Sequence, residues 1–181
     1  MTRIGGKITP QNLEKSLDRL DKALEKAVDD KGQVSVDELE RRLDVTAEVK
    51  GKDVGTTKAL EAVKDEFSRT ESYWVSSGCS GYSATRTVEP ELLKKGEVKN
   101  VREALMEAKK RVAGFDTHKA DGTKGKDGVI SEKEEKAALA KPADDLAGTL
   151  AQEALKGARQ QIEDAKPRPA PSYSRSSGGC G

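Results

Sequence analysis

A short recurring phrase constrains the fold of this chain more than any other feature. It consists of a glycine, any residue, a β-branched apolar residue and then Ser or Thr, with clear copies beginning at Gly6, Gly32 and Gly128. Glycine tolerates the left-handed backbone of a tight turn, and Ser or Thr caps the N-terminus of a helix. The phrase therefore predicts turns that pass through one extended residue into a helix. A looser copy at Gly96 predicts a fourth such turn.

Apolar spacing predicts the helices themselves. Leucines at 13, 17, 20 and 24, followed by Val28, form one stripe, which predicts a helix over 10–28. Further helices are predicted over 36–44, 56–69, 100–113, 131–140 and 143–165. With 34% hydrophobic and 3% aromatic residues, the core must be small and built from Leu, Val and Ala. We therefore predict a mostly α-helical protein.

A Ser/Thr-rich segment near 68–88 interrupts the helical pattern. It surrounds Tyr73, Trp74 and Tyr82 and is typical of an extended loop, a short hairpin or a linker. We expect the three aromatic side chains to anchor this segment onto the helices. The alternative is an exposed patch that binds a partner.

The chain divides into four parts on this basis. We predict helical unit A at 1–70, a Ser/aromatic-rich connector at 71–90, helical unit B at 91–165 and a disordered tail at 166–181. Residues 72–79 resemble residues 172–180, and the phrase at Gly32 recurs at Gly128. Tandem duplication accounts for both observations, and chance recurrence of a common helix-start turn is the alternative.

Residues 127–134, Asp-Gly-Val-Ile-Ser-Glu-Lys-Glu, resemble the second half of an EF-hand calcium loop. The resemblance places Asp127 at loop position five, Ser131 at nine and Glu134 at twelve, where a bidentate carboxylate closes the loop. It implies two tandem EF-hand-like helical units joined by short β-bridges. It also implies calcium as the cofactor.

The first half of that loop departs from the resemblance. If Asp116 occupies position one, a seven-residue insertion follows, and Asp121 is a candidate for another ligand. Two glycines and four nearby lysines make the insertion flexible and cationic, which opposes calcium binding. Two interpretations of this loop follow: a weak calcium site, or a solvated acidic turn between helices that binds no metal.

The Gly32 copy is similar to an EF-hand loop and also incomplete. The resemblance places Asp29 at position three and Glu38 at position twelve. Ala27 occupies position one, however, and Lys31 occupies position five, where an ammonium would face the ion.

EF-hand loops pair back to back through their bridge residues. The resemblance therefore implies that Ile8 pairs with Val34, and Val98 with Ile130.

Composition limits the classes of partner that this chain is expected to bind. Lys and Arg number 33 against 32 Asp and Glu, so bulk charge gives no reason to expect nucleic acid. No apolar run approaches the roughly 20 residues that span a bilayer, and no apolar signal core follows Met1. We expect a cytoplasmic location by default, although export by a route other than Sec stays open. We also expect the chain to bind a protein partner. The sequence does not indicate its oligomeric state.

The leading function is a non-enzymatic interaction or regulatory module with degenerate EF-hand-like loops and weak calcium binding. The alternative is a structural or assembly protein, secreted or particle-associated, that is linked through Cys79 and Cys180. Two reduced, inert thiols are a third interpretation of these cysteines. An enzyme is not expected, because no acid, base and nucleophile converge and His118 is the chain's only histidine.

Overall fold

The computed structural model describes residues 7–48, 53–78 and 80–165, without the side chains of 44–48 and 77. Within these residues the helices are α1 (Pro10–Ala27), α2 (Val36–Glu48), α3 (Val54–Glu66), α4 (Lys95–Val112), α5 (Glu132–Ala140) and α6 (Leu146–Asp164). The strands are β1 (Val34–Ser35), β2 (Arg69–Ser77), β3 (Ser80–Val88) and β4 (Leu92–Leu93). The prediction of a mostly α-helical protein is confirmed. The predicted tail at 166–181 lies outside the described residues.

Helix α1 begins where the sequence predicts it. The Thr9 hydroxyl accepts a hydrogen bond from the Asn12 amide (3.2 Å), and Pro10 occupies the first helical position. The predicted stripe is fully buried at its four leucines, Leu13, Leu17, Leu20 and Leu24. Val28 lies beyond the helix, is 37% exposed and forms a bridge with Val34.

The core is built chiefly from Leu, Val and Ala side chains of α1, α3, α4 and α6. Helices α3 and α6 are in direct backbone contact where Gly55 meets Gly157. A Cβ atom added to Gly157 would lie only 2.5 Å from the Gly55 Cα atom. The two backbones therefore touch, which only glycine allows at this position.

The bridges between turns pair differently from the prediction. Ile8 pairs with Ile130, whose amide donates to the Ile8 carbonyl (2.8 Å), and in β1 and β4 Val34 pairs with Leu93. The predicted pairs Ile8–Val34 and Val98–Ile130 are therefore wrong. Each segment that precedes α1 or α4 pairs with the loop of the other half, while Val98 is buried inside α4.

The predicted turn at Gly96 is also wrong, because Gly96 lies inside α4. This helix begins at Lys95, where the Glu97 carboxylate accepts the Lys94 amide (2.7 Å), which is the glutamate half of a capping box. The turns at Gly32 (φ +77°) and Gly128 (φ +80°) have the left-handed backbone that the phrase predicts.

The Ser/Thr-rich segment is a long hairpin. Strands β2 and β3 pair antiparallel without interruption from Arg69 with Val88 to Ser77 with Ser80. The hairpin interpretation is confirmed, with bounds slightly different from the predicted connector. Among the described residues, no helix combines the length and apolarity needed to cross a membrane.

Candidate functional site

Asp116 joins the two halves of the long loop between α4 and α5. It is only 2% exposed, and its carboxylate accepts hydrogen bonds from the amides of Asp127 (3.2 Å) and Gly128 (2.8 Å). The Asp127 carboxylate in turn accepts the Val129 amide (3.0 Å). The insertion is thus bridged at its base by one buried carboxylate.

Glu134 closes the same loop from the first turn of α5. Its Oε1 atom accepts the amides of Thr117 (2.6 Å) and His118 (2.8 Å) together with the Thr117 hydroxyl (3.1 Å). Its Oε2 atom accepts the amide and hydroxyl of Ser131, both at 2.8 Å. Five donors therefore converge on a side chain that is 4% exposed.

These donors decide the protonation state of Glu134. Burial alone would raise its pKa, but hydrogen bonds from the Ser131, Thr117 and His118 backbone and the Ser131 hydroxyl outweigh burial and lower the pKa to about 2. The carboxylate is therefore ionised at neutral pH. It acts as a buried negative charge neutralised by oriented N–H and O–H groups.

Asp121 makes its contacts within the insertion. Its carboxylate accepts the Thr123 amide (2.9 Å) and hydroxyl (2.6 Å), and these hydrogen bonds lower its pKa. The Lys119 amide donates to the Thr123 carbonyl (2.9 Å), and His118 pairs with Lys124 across the turn. Asp121 is exposed, and the structure does not place it with Asp116 and Glu134 as a shared ligand set.

Calcium requires six to eight oxygen ligands around one point. In the part of the chain that the structure describes, no group of three or more His, Cys, Asp or Glu residues could hold a metal ion. The oxygens of Asp116 and Glu134 instead accept N–H and O–H donors. As placed, these residues do not fit a calcium cage, and calcium binding here stays a prediction.

The two acidic residues predicted as ligands in the Gly32 loop have separate partners. The Asp29 carboxylate accepts the amides of Lys31 (2.9 Å) and Gln33 (2.8 Å), which closes the turn before β1. Glu38 forms ion pairs with Arg41 and Arg42 on α2. Two guanidinium groups beside Glu38 oppose a cation at this position.

The aromatic residues of the hairpin were expected to anchor it, and this expectation is wrong. Trp74 is 70% exposed, Tyr82 60% and Tyr73 47%. The contacts of β2 and β3 are chiefly with each other, because strands this long extend away from the helices. The hairpin is therefore the main exposed aromatic surface of the described residues.

The register assigns the aromatic residues to both faces of the hairpin. Tyr73 pairs with Ala84, and Val75 pairs with Tyr82, so these four residues share one face. Trp74 lies on the other face against Gly81, where an added Cβ atom would come within 2.5 Å of the indole Nε1 atom. Among the described residues this sheet has two strands only, so both outer edges lack a strand neighbour.

No protein-family model, curated protein or solved structure matches this chain. The EF-hand-like assignment therefore stays a prediction from the residues. The function is inferred from the exposed hairpin and the closed loop themselves.

Proposed function

We propose that this protein is a non-enzymatic interaction module that presents the β2–β3 hairpin to a protein partner. The observation that carries the proposal is the exposure of Trp74, Tyr82 and Tyr73 on a projecting two-stranded ribbon. Trp and Tyr are the residues that most often dominate binding energy at protein interfaces. Large exposed aromatic groups in a chain with only 3% aromatic residues favour a binding role for this hairpin.

The energetics of small sheets supports the same proposal. An isolated two-stranded hairpin is marginally stable in water, and a third strand adds stability. An extended segment of a partner can pair with the outer edge of β2 or β3 through backbone hydrogen bonds. The exposed rings would then be covered by side chains of the added strand. The charged groups of the hairpin are limited to Arg69, Glu71 and Arg86, so its surface suits a protein more than a polyanion.

Replacing Trp74 with alanine tests this proposal. We expect the wild-type protein to enrich extended apolar peptides from a displayed random-peptide library, and Trp74→Ala to lower their affinity by about tenfold or more. Stability should change by only about 0.5 kcal/mol, because the side chain is largely exposed. Peptide affinity and urea unfolding measure the two effects.

Met106 provides the matched control. It is 60% exposed on α4, away from the hairpin, so Met106→Ala should leave peptide affinity unchanged. Unaltered peptide enrichment by Trp74→Ala, or an equal loss with Met106→Ala, would contradict the proposal.

We propose further that the scaffold consists of two tandem EF-hand-like helical units. Helices α1 and α4 both have 18 residues, and each is followed by a loop with a left-handed glycine and then a second helix. The reciprocal bridges between the two halves support the same division.

In this proposal the long loop is a regulatory element that binds calcium weakly. Calcium would have to displace the donors that occupy Glu134 and Asp116, so we expect a dissociation constant of about 1 mM or weaker. Calorimetric titration of the wild type and of Glu134→Gln, both shown to be folded, measures it. Micromolar binding that disappears in Glu134→Gln would instead establish a calcium sensor.

The alternative role, assembly through Cys79 and Cys180, stays a prediction. Both cysteines lie outside the described residues. The described strands on either side of position 79 are β2, which ends at Ser77, and β3, which begins at Ser80.

A further inference from the structure

The register divides the β2–β3 hairpin into two faces of different chemistry. The charged residues Arg69, Glu71 and Arg86 all lie on one face, which also carries Tyr73 and Tyr82. We call the other face the hydroxyl face. It combines hydroxyl side chains with one tryptophan and one glycine: Thr70, Ser72, Trp74, Ser76, Gly81, Ser83, Thr85 and Thr87. All of these residues are exposed except Gly81, which is half-buried.

The indole of Trp74 lies across the hydroxyl face toward β3. Gly81 is its diagonal neighbour on that strand, because Trp74 pairs with Ser83. A Cβ atom added to Gly81 would lie 2.5 Å from the indole Nε1 atom and 2.6 Å from Cε2 and Cζ2. The ring therefore rests directly on the glycine backbone, yet Trp74 is 70% exposed. Glycine thus lets the indole lie close to the sheet with a wide apolar surface open to solvent.

We propose that the hydroxyl face binds a neutral oligosaccharide, a short chain of uncharged pyranose units. A pyranose ring has an apolar side of C–H groups and a rim of hydroxyl groups. The C–H groups carry a small positive charge, which suits the negative π face of an indole. Each Ser or Thr hydroxyl donates one hydrogen bond and can accept others, so it can match a ligand hydroxyl in either role.

Charge matching favours an uncharged ligand on this face. The residues that form the hydroxyl face include neither a cation to hold a phosphate, sulfate or carboxylate group nor a carboxylate to hold a basic peptide. Along β2 the face extends about 20 Å from Thr70 to Ser76, since each strand residue advances about 3.3 Å. Several linked sugar units can lie along this length.

This site goes beyond the proposed protein partner and does not depend on it. A partner strand would pair with an outer edge of the hairpin through its backbone, whereas the oligosaccharide would lie on the hydroxyl face. Loss of Trp74 affects both interactions, so other variants are needed to separate them.

The fluorescence of the protein reports directly on this face, because Trp74 is the chain's only tryptophan. Titration with three neutral hexasaccharides, cellohexaose, chitohexaose and maltohexaose, tests the proposal. At least one should shift the emission to shorter wavelength in a saturable manner, since a stacked sugar excludes water from the indole. The face is open and covers only one side of a ligand, so we expect a dissociation constant of about 1 mM.

Two variants test the geometry with that hexasaccharide. Gly81→Ala should weaken binding about fivefold, because the added Cβ atom displaces the indole from the sheet. Ser83→Val/Thr85→Val keeps strand-forming residues but removes two hydroxyls, and should also weaken binding about fivefold. The matched control is Arg86→Thr, which changes the opposite face of the same strand. It should alter binding by less than about twofold, because a screened surface charge contributes little to binding a neutral ligand.

Absence of a saturable fluorescence change with all three hexasaccharides at millimolar concentrations would overturn the proposal. Unchanged binding in Gly81→Ala or in Ser83→Val/Thr85→Val, or an equal loss in Arg86→Thr, would overturn it too. Tighter binding of a hyaluronan hexasaccharide, which carries carboxylates, would show that charge is recognised and would also contradict it. Peptide binding at the strand edges is measured separately, so failure of the proposed function leaves these outcomes unchanged.

Discussion

Replacing Gly157 with alanine is expected to destabilise the protein by about 3 kcal/mol or more. The new Cβ atom would lie 2.5 Å from the Gly55 Cα atom, 2.6 Å from the Gly55 nitrogen and 2.7 Å from the Val54 carbonyl carbon. All three are backbone atoms, so no side chain can rotate away. Helices α3 and α6 would have to separate, which loosens the packing of the alanines between them. Urea unfolding followed by circular dichroism measures the loss.

Gly96→Ala is the matched control for this prediction. Gly96 also lies in a helix, in the first turn of α4, but an added Cβ atom there would meet no atom within 4 Å beyond its chain neighbours and the backbone of its own helix. Alanine should therefore stabilise α4 by about 1 kcal/mol through its higher helix propensity. A Gly157→Ala protein as stable as the wild type would show that α3 and α6 do not touch at these glycines.

The second large effect is expected from Glu134→Gln. At neutral pH this change should cost about 3 kcal/mol, because an amide accepts weaker hydrogen bonds and directs an NH₂ group at N–H donors. The ionised carboxylate is favoured in the folded state, since its pKa falls from 4.5 to about 2. The carboxylate therefore stabilises the folded state fully above about pH 4.5, and this stabilisation is lost as the pH falls toward 2. The resulting decrease in the free energy of unfolding is about 3 kcal/mol.

Unfolding free energies measured from pH 2 to pH 7 check both parts of this prediction. Glu134→Gln should remove most of that pH dependence as well as lower the stability at pH 7. Glu132→Gln is the control, because Glu132 is exposed on the same helix and its ion pair with Lys136 lies at the surface. An equal flattening of the pH profile in Glu132→Gln would contradict the assigned role of Glu134.

Local sequence was sufficient to predict the helices and the position of the loop carboxylates. The leucine stripe of α1 and the cap at Thr9 depend on neighbours within a few residues. The role of Glu134 could not be predicted in the same way, because three of its donors come from Thr117 and His118, across the insertion. Without them the same glutamate resembles a calcium ligand.

Local sequence could not predict which bridge residues pair with each other. Any β-branched residue beside a glycine turn can form a two-residue bridge, and nothing near Ile8 specifies Ile130 over Val34. The aromatic residues of the hairpin were misplaced for a related reason. Their apolar character indicates burial, while their exposure follows from how far nine-residue strands extend beyond the helices.

The reciprocal bridges have a consequence for how the chain assembles. Ile8 meets Ile130, which lies 122 positions (130 − 8) further along the chain, so this contact closes a very long loop and is expected to form only after most of the intervening chain is organised. Neither half can form the Ile8–Ile130 bridge or the β1–β4 pairing alone, because each half supplies one partner of both. Folding of the two halves is therefore expected to be mutually dependent, with the last step resembling the docking of two incomplete domains into one cooperative unit.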